Sequence, residues 1–286
     1  MIQQAVAGLV SGGVFAALAV CIVLMYRMLG VLNFSLAAMG GLGASATLYA
    51  YGNHGWGTLP AVVVGLLAGA LLGAFLGVVM ARWFVESSVE IRSTVTIGLL
   101  VTGLAIGNRI LGGSAHKTPD LVGSGTVHLG GIGISTGSLV EAAGAIALAF
   151  GLGWYLRSTR TGTMLRALSV RPTTAQLMGV PVGPLTISVW AFAGLVSTLA
   201  VLFVLPSSTS DFSNISLLIL SSMAAALVAL LRSLPVAAFA GIGIGMLQSM
   251  ALYWDSVARY SQAIPFVVIT IAMVWWRRKD VWAEAR

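Results

Sequence analysis

Few residues in this chain have the types and spacing that catalysis needs. Residues 133–137 read G-I-S-T-G and match the G-x-S-x-G pattern of a hydrolase nucleophile turn, but that pattern needs a preceding strand, a histidine and an acid to form a site. Because glycine is so frequent here, a chance match is the simpler interpretation. Lys117 and Thr118 follow His116, where a phosphate-binding loop requires glycine. The sequence therefore predicts a chain that is not an enzyme and has no ATP-hydrolysing loop of its own.

The candidate metal ligands are equally sparse. The three histidines are His54, His116 and His128, and none has a second histidine four residues on or a cysteine nearby. Structural and catalytic zinc sites need such clustered ligands, so solvated loop histidines are the better interpretation. Cys21 is the single cysteine and lies in an apolar run, which excludes an intrachain disulfide and favours a packing role. We expect no metal and no cofactor.

The composition points to a membrane protein. Of the 286 residues 58% are hydrophobic and 8% are charged, whereas a soluble domain is about 25% charged. The apolar runs repeatedly reach the roughly 18–20 residues that cross a bilayer, and a helix satisfies its own backbone hydrogen bonds in lipid. We predict one all-α polytopic transmembrane domain over residues 1–286. The net charge of +7 does not indicate nucleic-acid binding, since the basic residues lie at the ends of apolar segments rather than along one stripe.

About nine apolar segments are long enough to be membrane spans, with boundaries uncertain by several residues. They lie at roughly 4–26, 32–51, 58–82, 93–111, 138–156, 185–206, 214–231, 236–253 and 263–276. An odd number places the two termini on opposite sides. With the C-terminus in the cytosol, 12 of the 15 basic residues lie inside, and the exceptions are Arg109, Lys117 and Arg259. This asymmetry predicts an external N-terminus and a cytosolic C-terminus.

Glycine spacing suggests how the spans pack. Four glycines at intervals of four residues lie in the third span, and the same interval recurs elsewhere: Gly65, Gly69, Gly73 and Gly77, then Gly8 with Gly12, Gly103 with Gly107, and Gly241 with Gly245. Glycines four apart share one helix face and admit a close neighbour, which predicts packing seams. The alternative is a pore lined by bare backbone. The second span contains Gly40, Gly41 and Gly43, a pattern that predicts a broken helix at membrane depth, on the substrate path or at a helix contact.

Ionisable residues are nearly absent from the predicted spans. Arg109, Glu141 and Arg232 lie near span ends, where they can reach the interface. The polar groups at depth are neutral, namely Asn33, Thr96, Asn108, Ser197, Gln248 and Ser249. Ion-coupled carriers usually keep charged residues within the membrane, so this pattern argues against one. Backbone carbonyls can also bind sodium, and a self-sufficient secondary carrier or facilitator therefore stays open as an alternative.

Two long segments lie outside the predicted spans. Residues 112–137 form an external loop, in which residues 126–135 alternate around a Gly-Gly pair and predict a small hairpin. Residues 157–184 form a cytosolic segment in which Met164, Leu165 and Leu168 have helical spacing. A short helix is predicted from Thr173 to Leu177, because a proline suits the first turn before it and a glycine follows it. This helix either docks on a separate protein or rests on lipid headgroups.

The order of several motifs resembles the permease subunits of branched-chain amino acid ABC importers. The resemblance covers nearly the whole chain and lies in N-F-S at 33–35, T-I-G-L at 96–99, G-I-S at 133–135, R-S-T-R-T-G at 157–162, L-R-A at 165–167, A-Q-L-M-G-V at 175–180, and R-S-L-P at 232–235 with Gly241, Gly245, Gln248 and Ser249. It implies a membrane subunit that pairs with a second permease, sits on two cytosolic ATPases, and accepts substrate from an extracytoplasmic binding protein. It also implies the cytoplasmic (inner) membrane of a bacterium as the location.

The resemblance assigns roles to two groups of residues. It implies coupling to the ATPases for Gly162, Arg166, Thr173, Leu177, Met178 and Gly179, and a substrate path along Asn33, Phe34, Ser35, Gln248 and Ser249. The implied solute is a branched-chain or other hydrophobic amino acid. Leu36, Ala37 and Ala38 stand where the family commonly has His, Gly and Glu, and Gln248 stands where it has Glu. A related amide, urea or another hydrophobic solute, or a subunit whose partner supplies the recognising groups, therefore remains open, as does a membrane scaffold with no path.

Overall fold

The computed structural model describes residues 2–52, 54–84, 87–111, 121, 125–129, 132–205 and 212–284. These residues are mostly helical. The helices are α1 Ile2–Ala7, α2 Leu9–Leu29, α3 Leu36–Gly52, α4 Thr58–Trp83, α5 Val89–Leu111, α6 Thr136–Ser158, α7 Arg160–Val170, α8 Pro172–Leu177, α9 Val182–Val204, α10 Phe212–Val228, α11 Leu234–Ala251, α12 Asp255–Ala258 and α13 Ile264–Glu284, with a 3₁₀ turn at Ser261–Ala263. Strands β1 Thr126–Leu129 and β2 Ile132–Ser135 pair antiparallel, which confirms the predicted hairpin. Much of the predicted external loop 112–137 lies outside the described residues.

The helices confirm an all-α polytopic membrane fold. Six helices of the described chain are long and apolar enough to cross a membrane, namely α2, α4, α5, α6, α9 and α11. The other three predicted segments correspond to α3 and α10, each with 17 residues, and to α13. The membrane-spanning role of these three helices, and with it the total of nine spans, stays a prediction.

The bundle has two distinct ends. Helix α6 follows β2 directly and leads to α7, so one end carries the β-hairpin and the other carries α7 and α8. We call these the hairpin end and the α7–α8 end. Helix α2 begins at the hairpin end, because a Cβ atom on Gly13 would lie only 2.7 Å from Cγ of Glu141, near the start of α6. Helix α11 runs antiparallel to α2, since Gly12 meets Ile242 and Gly241 meets Ala16.

Helix α2 is the central element of the bundle. Its residues from Gly12 to Met25 are all buried, and it packs against α6, α9, α10 and α11. A helix that is apolar on every side belongs inside a bundle or in lipid. Here its neighbours are other helices of the same chain, so α2 forms the core to which the remaining spans attach.

The glycine stripe on α4 is a packing seam, as predicted. Gly65 faces Gly43 of α3, and the rest of the stripe faces α9: a Cβ atom on Gly77 would lie 2.9 Å from Cα of Ile187, and one on Gly69 would lie 2.8 Å from the carbonyl oxygen of Gly194. Real Cβ atoms do not approach backbone so closely. The small-residue faces therefore let the two helix backbones touch, as small residues do in membrane bundles. The second seam joins α2 to α11 through Gly12 and Gly245.

The predicted break in the second apolar segment is wrong. Helix α3 runs without interruption through Gly40, Gly41 and Gly43. A Cβ atom on Gly40 or Gly43 would collide with Ser197 or Thr198 of α9, so these glycines serve helix contact rather than unwinding. The chain leaves helical geometry earlier, after Gly30, whose φ of 63° ends α2 in the left-handed conformation that glycine tolerates.

The expectation that Glu141 reaches the membrane interface is also wrong. Its side chain is only 5% exposed and packs against α2. Neither carboxyl oxygen receives a hydrogen bond from the residues that the structure describes. The other two ionisable residues near span ends, Arg109 and Arg232, are exposed, and their reach to the interface stays a prediction.

Candidate functional site

The segment predicted to couple to a motor protein contains two helices, α7 and α8. Helix α7 starts at a capped turn, in which the Thr159 hydroxyl accepts a 3.0 Å hydrogen bond from the Gly162 amide. Gly162 is buried against the end of α6. A Cβ atom at this position would lie only 2.6 Å from Cα of Leu156. Leu165 and Leu168 are buried against the bundle. The apolar face of α7 therefore fixes the segment to the spans.

Helix α8 is the short helix that the sequence predicts. Pro172 occupies its first turn, and Gly179, with φ of 84°, ends the turn that follows it. Ala175 is buried, whereas Leu177 is 90% exposed and Met178 is 81% exposed. The helix thus anchors one face on the bundle and presents two large apolar side chains on the other. Two further residues predicted to couple, Arg166 and Thr173, are also exposed.

The residues Asn33, Phe34 and Ser35 form a tight joint between α2 and α3. The Asn33 amide oxygen accepts a 2.7 Å hydrogen bond from the Ser35 hydroxyl and a 3.0 Å bond from the Ser35 amide. Its nitrogen donates to the sulfur atom of Met25 at 3.3 Å. Asn33 and Ser35 are fully or almost fully buried. Their polar groups are therefore satisfied within the joint rather than presented to a solute in this conformation.

Helix α5 stabilises the joint through Thr96 and Arg92. The sequence analysis did not predict these contacts. The Thr96 hydroxyl accepts a 3.1 Å hydrogen bond from the Phe34 amide and donates to the Leu32 carbonyl at 2.8 Å. The Arg92 guanidinium donates to the Leu29 carbonyl at 2.6 Å, in the last turn of α2. A cation at a helix C-terminus interacts favourably with the helix dipole. An arginine at the start of a span would suggest only membrane orientation, so no sequence signal pointed to this contact.

A cavity of about 270 Å³ lies between this joint and the coupling segment. Gly30 and Arg92 line it on the joint side, and Leu168 and Pro172 line it from α7 and α8. Trp190 of α9 completes its inner wall. The end of α2, the start of α5 and the residues from Leu168 to Pro172 therefore border one space, whereas the residues predicted for the substrate path and for coupling are not part of its described lining.

Gln248 and Ser249 lie at the hairpin end. The Gln248 amide nitrogen is 3.3 Å from the Ser221 hydroxyl, and the Ser249 hydroxyl donates to the Gln4 carbonyl at 2.7 Å. The joint lies at the other end of α2, a helix of 21 residues that spans roughly 30 Å. The structure thus brings Gln248 and Ser249 together but keeps them away from Asn33, Phe34 and Ser35. The predicted substrate-path residues form two separate groups rather than one site.

Comparison with known proteins identifies the family. The chain matches the permease component of branched-chain amino acid transport systems over residues 4–273. Its fold is similar to that of PsaBC from Streptococcus pneumoniae in a complex with a Fab, with a TM-score of 0.51, 16% identity, and coverage of 93% of this chain and 89% of that chain. No curated protein matches by sequence. The chain therefore belongs to the family of permease components of branched-chain amino acid transport systems, and it is a multi-pass transport permease of the ABC class.

Proposed function

We propose that this chain is the membrane-spanning subunit of an ABC importer and that separate cytosolic ATPases drive it through α8. The observation that supports this most directly is the contrast in side-chain exposure along α8 and the residue after it. Ala175 fixes α8 to the bundle, while Leu177 and Met178 stand almost fully exposed beside it. Exposed apolar side chains on a firmly anchored helix suit a groove on a partner protein. A force applied to them would reach the bundle through α7.

The force on α8 would act on the cavity of about 270 Å³ that this helix borders. The end of α7 and Pro172 of α8 form one wall, and Gly30 and Val31, which precede the joint, lie in another. Movement of α8 would change the width of this cavity. It would also affect the hydrogen bond by which Arg92 connects α5 to α2. We infer that the space opens and closes as the transporter alternates between its two sides. Gly162, Arg166, Thr173 and Gly179 would support the helix that transmits the movement.

Charge distribution supports a cytosolic position for the α7–α8 end. Arg27, Arg82, Arg92 and Arg232 lie at this end together with the arginines of the coupling segment, whereas Arg109 and Arg259 lie at the hairpin end. From the positive-inside rule we infer an external N-terminus and a cytosolic C-terminus, and the proposed location is a bacterial inner membrane. The proposed partners are two ABC ATPases, a second permease subunit and an extracytoplasmic binding protein at the hairpin end, with lipid around the spans.

The proposed cargo is a small solute. The family makes branched-chain and other hydrophobic amino acids the first class to test. Gln248 and Ser249 would contact the solute at the hairpin end, and the joint at Asn33, Phe34 and Ser35 would border its route at the other end. The two groups act at different stages in this scheme, because a whole helix length separates them.

The test replaces Leu177 and Met178 by aspartate in the assembled transporter. Both side chains project away from the fold, so folding should persist, while charge on the docking surface should reduce ATP-driven leucine uptake by at least tenfold. Ser88→Asp is the control, because Ser88 caps α5 at the same end and aspartate caps equally well. Normal uptake by the double variant would refute coupling through α8.

A further inference from the structure

Two cavities, one near each end of the bundle, differ in charge. The cavity at the hairpin end has a volume of about 310 Å³, and its polar lining consists of neutral hydroxyl and amide groups, among them those of Gln248 and Ser249. The cavity of about 270 Å³ at the α7–α8 end has one charged side chain in its described lining, that of Arg92. We call it the Arg92 cavity. A single positive charge in a cavity suggests a ligand that carries a negative charge.

The Arg92 guanidinium has more donors than its described partners use. The side chain is half-buried, and it donates from Nη1 to the Leu29 carbonyl at 2.6 Å and from Nε to the Ser87 carbonyl at 3.0 Å. A guanidinium carries five N–H donors, so three are without an acceptor among the described residues. No carboxylate is among its described partners. The two carbonyls therefore fix the position of the guanidinium but leave its charge unpaired.

Trp190 provides a further donor at the inner wall of the Arg92 cavity. Its side chain is 0% exposed, and its indole nitrogen Nε1 has no hydrogen-bond partner among the described residues. An indole N–H can only donate, and a buried donor without an acceptor costs free energy. Trp190 and Arg92 line the same cavity. A ligand with negatively charged oxygen atoms could accept hydrogen bonds from both.

The other lining residues restrict the kind of anion. Thr186 and Ser169 have hydroxyl groups, but these donate to the carbonyls of Val182 and Arg166 within their own helices. Most of the remaining lining is apolar and includes Met28, Met80, Phe84, Val89, Leu168 and Val182. One guanidinium balances one negative charge, so a dianion would keep an unpaired charge beside these apolar walls. The lining therefore suits a monoanion with a short apolar chain.

We propose that the Arg92 cavity is a binding site for a small soluble monocarboxylate with a short hydrocarbon chain. The carboxylate accepts hydrogen bonds from Arg92 and Trp190, and the chain contacts the apolar walls. The described lining does not include the residues predicted for the substrate path, so the proposed function does not require this site. A bound anion would hold α5, α9 and the segment from Leu168 to Pro172 at a fixed separation. One consequence, which rests on the proposed function, is that the carboxylate slows transport.

The test compares butyrate with butyramide and butylammonium, which have similar chains and different charges. Each probe is titrated at constant ionic strength against the purified full chain in phosphatidylcholine nanodiscs. Saturation-transfer NMR measures weak binding, and empty nanodiscs are the blank. Butyrate should bind roughly tenfold more tightly than butyramide, because hydrogen bonds to an ionised acceptor are the stronger kind. Butyrate that binds no more tightly than butyramide or butylammonium would overturn the proposal.

Two variants with matched controls locate the binding. Trp190→Phe removes the Nε1 donor and keeps an aromatic ring, so the chain should fold and bind butyrate roughly threefold or more weakly. Trp154→Phe makes the same change at an exposed position of α6 and should leave the affinity unaltered. Arg92→Gln should abolish the preference for butyrate over butyramide, whereas Arg232→Gln removes an exposed charge at the same end and should preserve it. Equal butyrate affinities for the wild-type chain and the Trp190→Phe variant would overturn the proposal.

A change of lipid tests whether the anion is soluble. Nanodiscs that contain anionic phosphatidylglycerol should give the same butyrate affinity as those of phosphatidylcholine. Displacement of butyrate by the anionic lipid would assign the cavity to a lipid headgroup and would overturn the proposal of a soluble ligand.

The effect on transport is measured on the assembled transporter in vesicles. Butyrate at about ten times its dissociation constant should slow ATP-driven leucine uptake by roughly tenfold, because most sites are then occupied. Trp190→Phe should relieve this inhibition. The nanodisc titration needs no ATPase, so the two proposals fail separately. Butyrate binding by a chain that is not driven through α8 would remove the importer proposal alone, and ATP-driven uptake by a chain that binds no butyrate would remove this inference alone.

Discussion

At the scale of single residues, polar side chains in this protein mostly satisfy one another. Asn33, Ser35 and Thr96 use their hydrogen-bonding groups to close the joint between α2 and α3. Such groups cost free energy when buried without partners, so a joint inside a bundle needs a complete set. The same residues look like solute ligands in the sequence, because residue type alone does not reveal which partner a polar group will have.

Among the described residues Thr47, Glu141 and Trp190 are exceptions, and Glu141 gives a prediction. Its carboxyl group is buried against α2 and receives no hydrogen bond from the described residues. An unsatisfied buried polar group costs about 1–3 kcal/mol, so Glu141→Met, which keeps the length and removes the polar atoms, should raise the free energy of unfolding by that amount. Thermal unfolding in detergent would show a higher midpoint. The control is Gln3→Met at an exposed position of α1, which should change little. A lower midpoint for Glu141→Met would show that the carboxyl group stabilises the bundle.

At the scale of helices, the glycine seams set the distances between spans. On α4 the seam continues over Gly69, Gly73 and Gly77, and it meets α9 with backbone against backbone. Lipid is as apolar as a leucine side chain, so close packing rather than hydrophobicity holds spans together. The sequence interval of four residues was therefore sufficient to predict a packing seam on α4, although not that α9 would be its partner.

Substitution of one seam glycine tests this view. A methyl group on Gly73 would press on the Trp190 carbonyl oxygen, so Gly73→Ala should destabilise the bundle by roughly 1–3 kcal/mol. Gly144→Ala is the matched control, because nothing lies within 4 Å of a Cβ atom there. The control should be neutral or slightly stabilising, as alanine is the better helix former. Equal unfolding midpoints for the two variants would contradict the role of the seam.

At the scale of the whole molecule, the proposed functions lie at two ends of one bundle. Helices α7 and α8 lie at one end and the hairpin with its polar cavity lies at the other, and α2 runs between them through the core. A rigid central helix can transmit a change at one end to the other. This arrangement suits a permease that receives solute on one side and force on the opposite side.

The proposed assembly predicts a specific set of partners. Mild purification of the tagged chain from its native membrane should recover stoichiometric ATPases that carry a phosphate-binding loop, together with a second permease. Mass spectrometry would identify them, and the Leu177→Asp and Met178→Asp double variant should lose the ATPases while keeping the second permease. A chain that purifies alone and moves solute in vesicles without ATP would instead be a self-sufficient carrier.

The sequence by itself determined the membrane class, the helices, the hairpin strands, the limits of α8 and the family. These features depend on local properties: the length of apolar runs, the spacing of glycines, and the effect of proline and glycine on helix ends. Each can be read from a window of the chain, because the physical cause lies within that window.

Only the tertiary structure decided how buried groups are used. It showed that Gly40 and Gly43 contact α9 within an unbroken helix, that Glu141 packs inside the bundle, and that Arg92 ties α5 to α2. It also separated the predicted path residues into two groups and placed Gln248 in a polar cavity. These outcomes depend on which distant residue faces each group, and contacts between distant segments leave no periodic signal in one sequence.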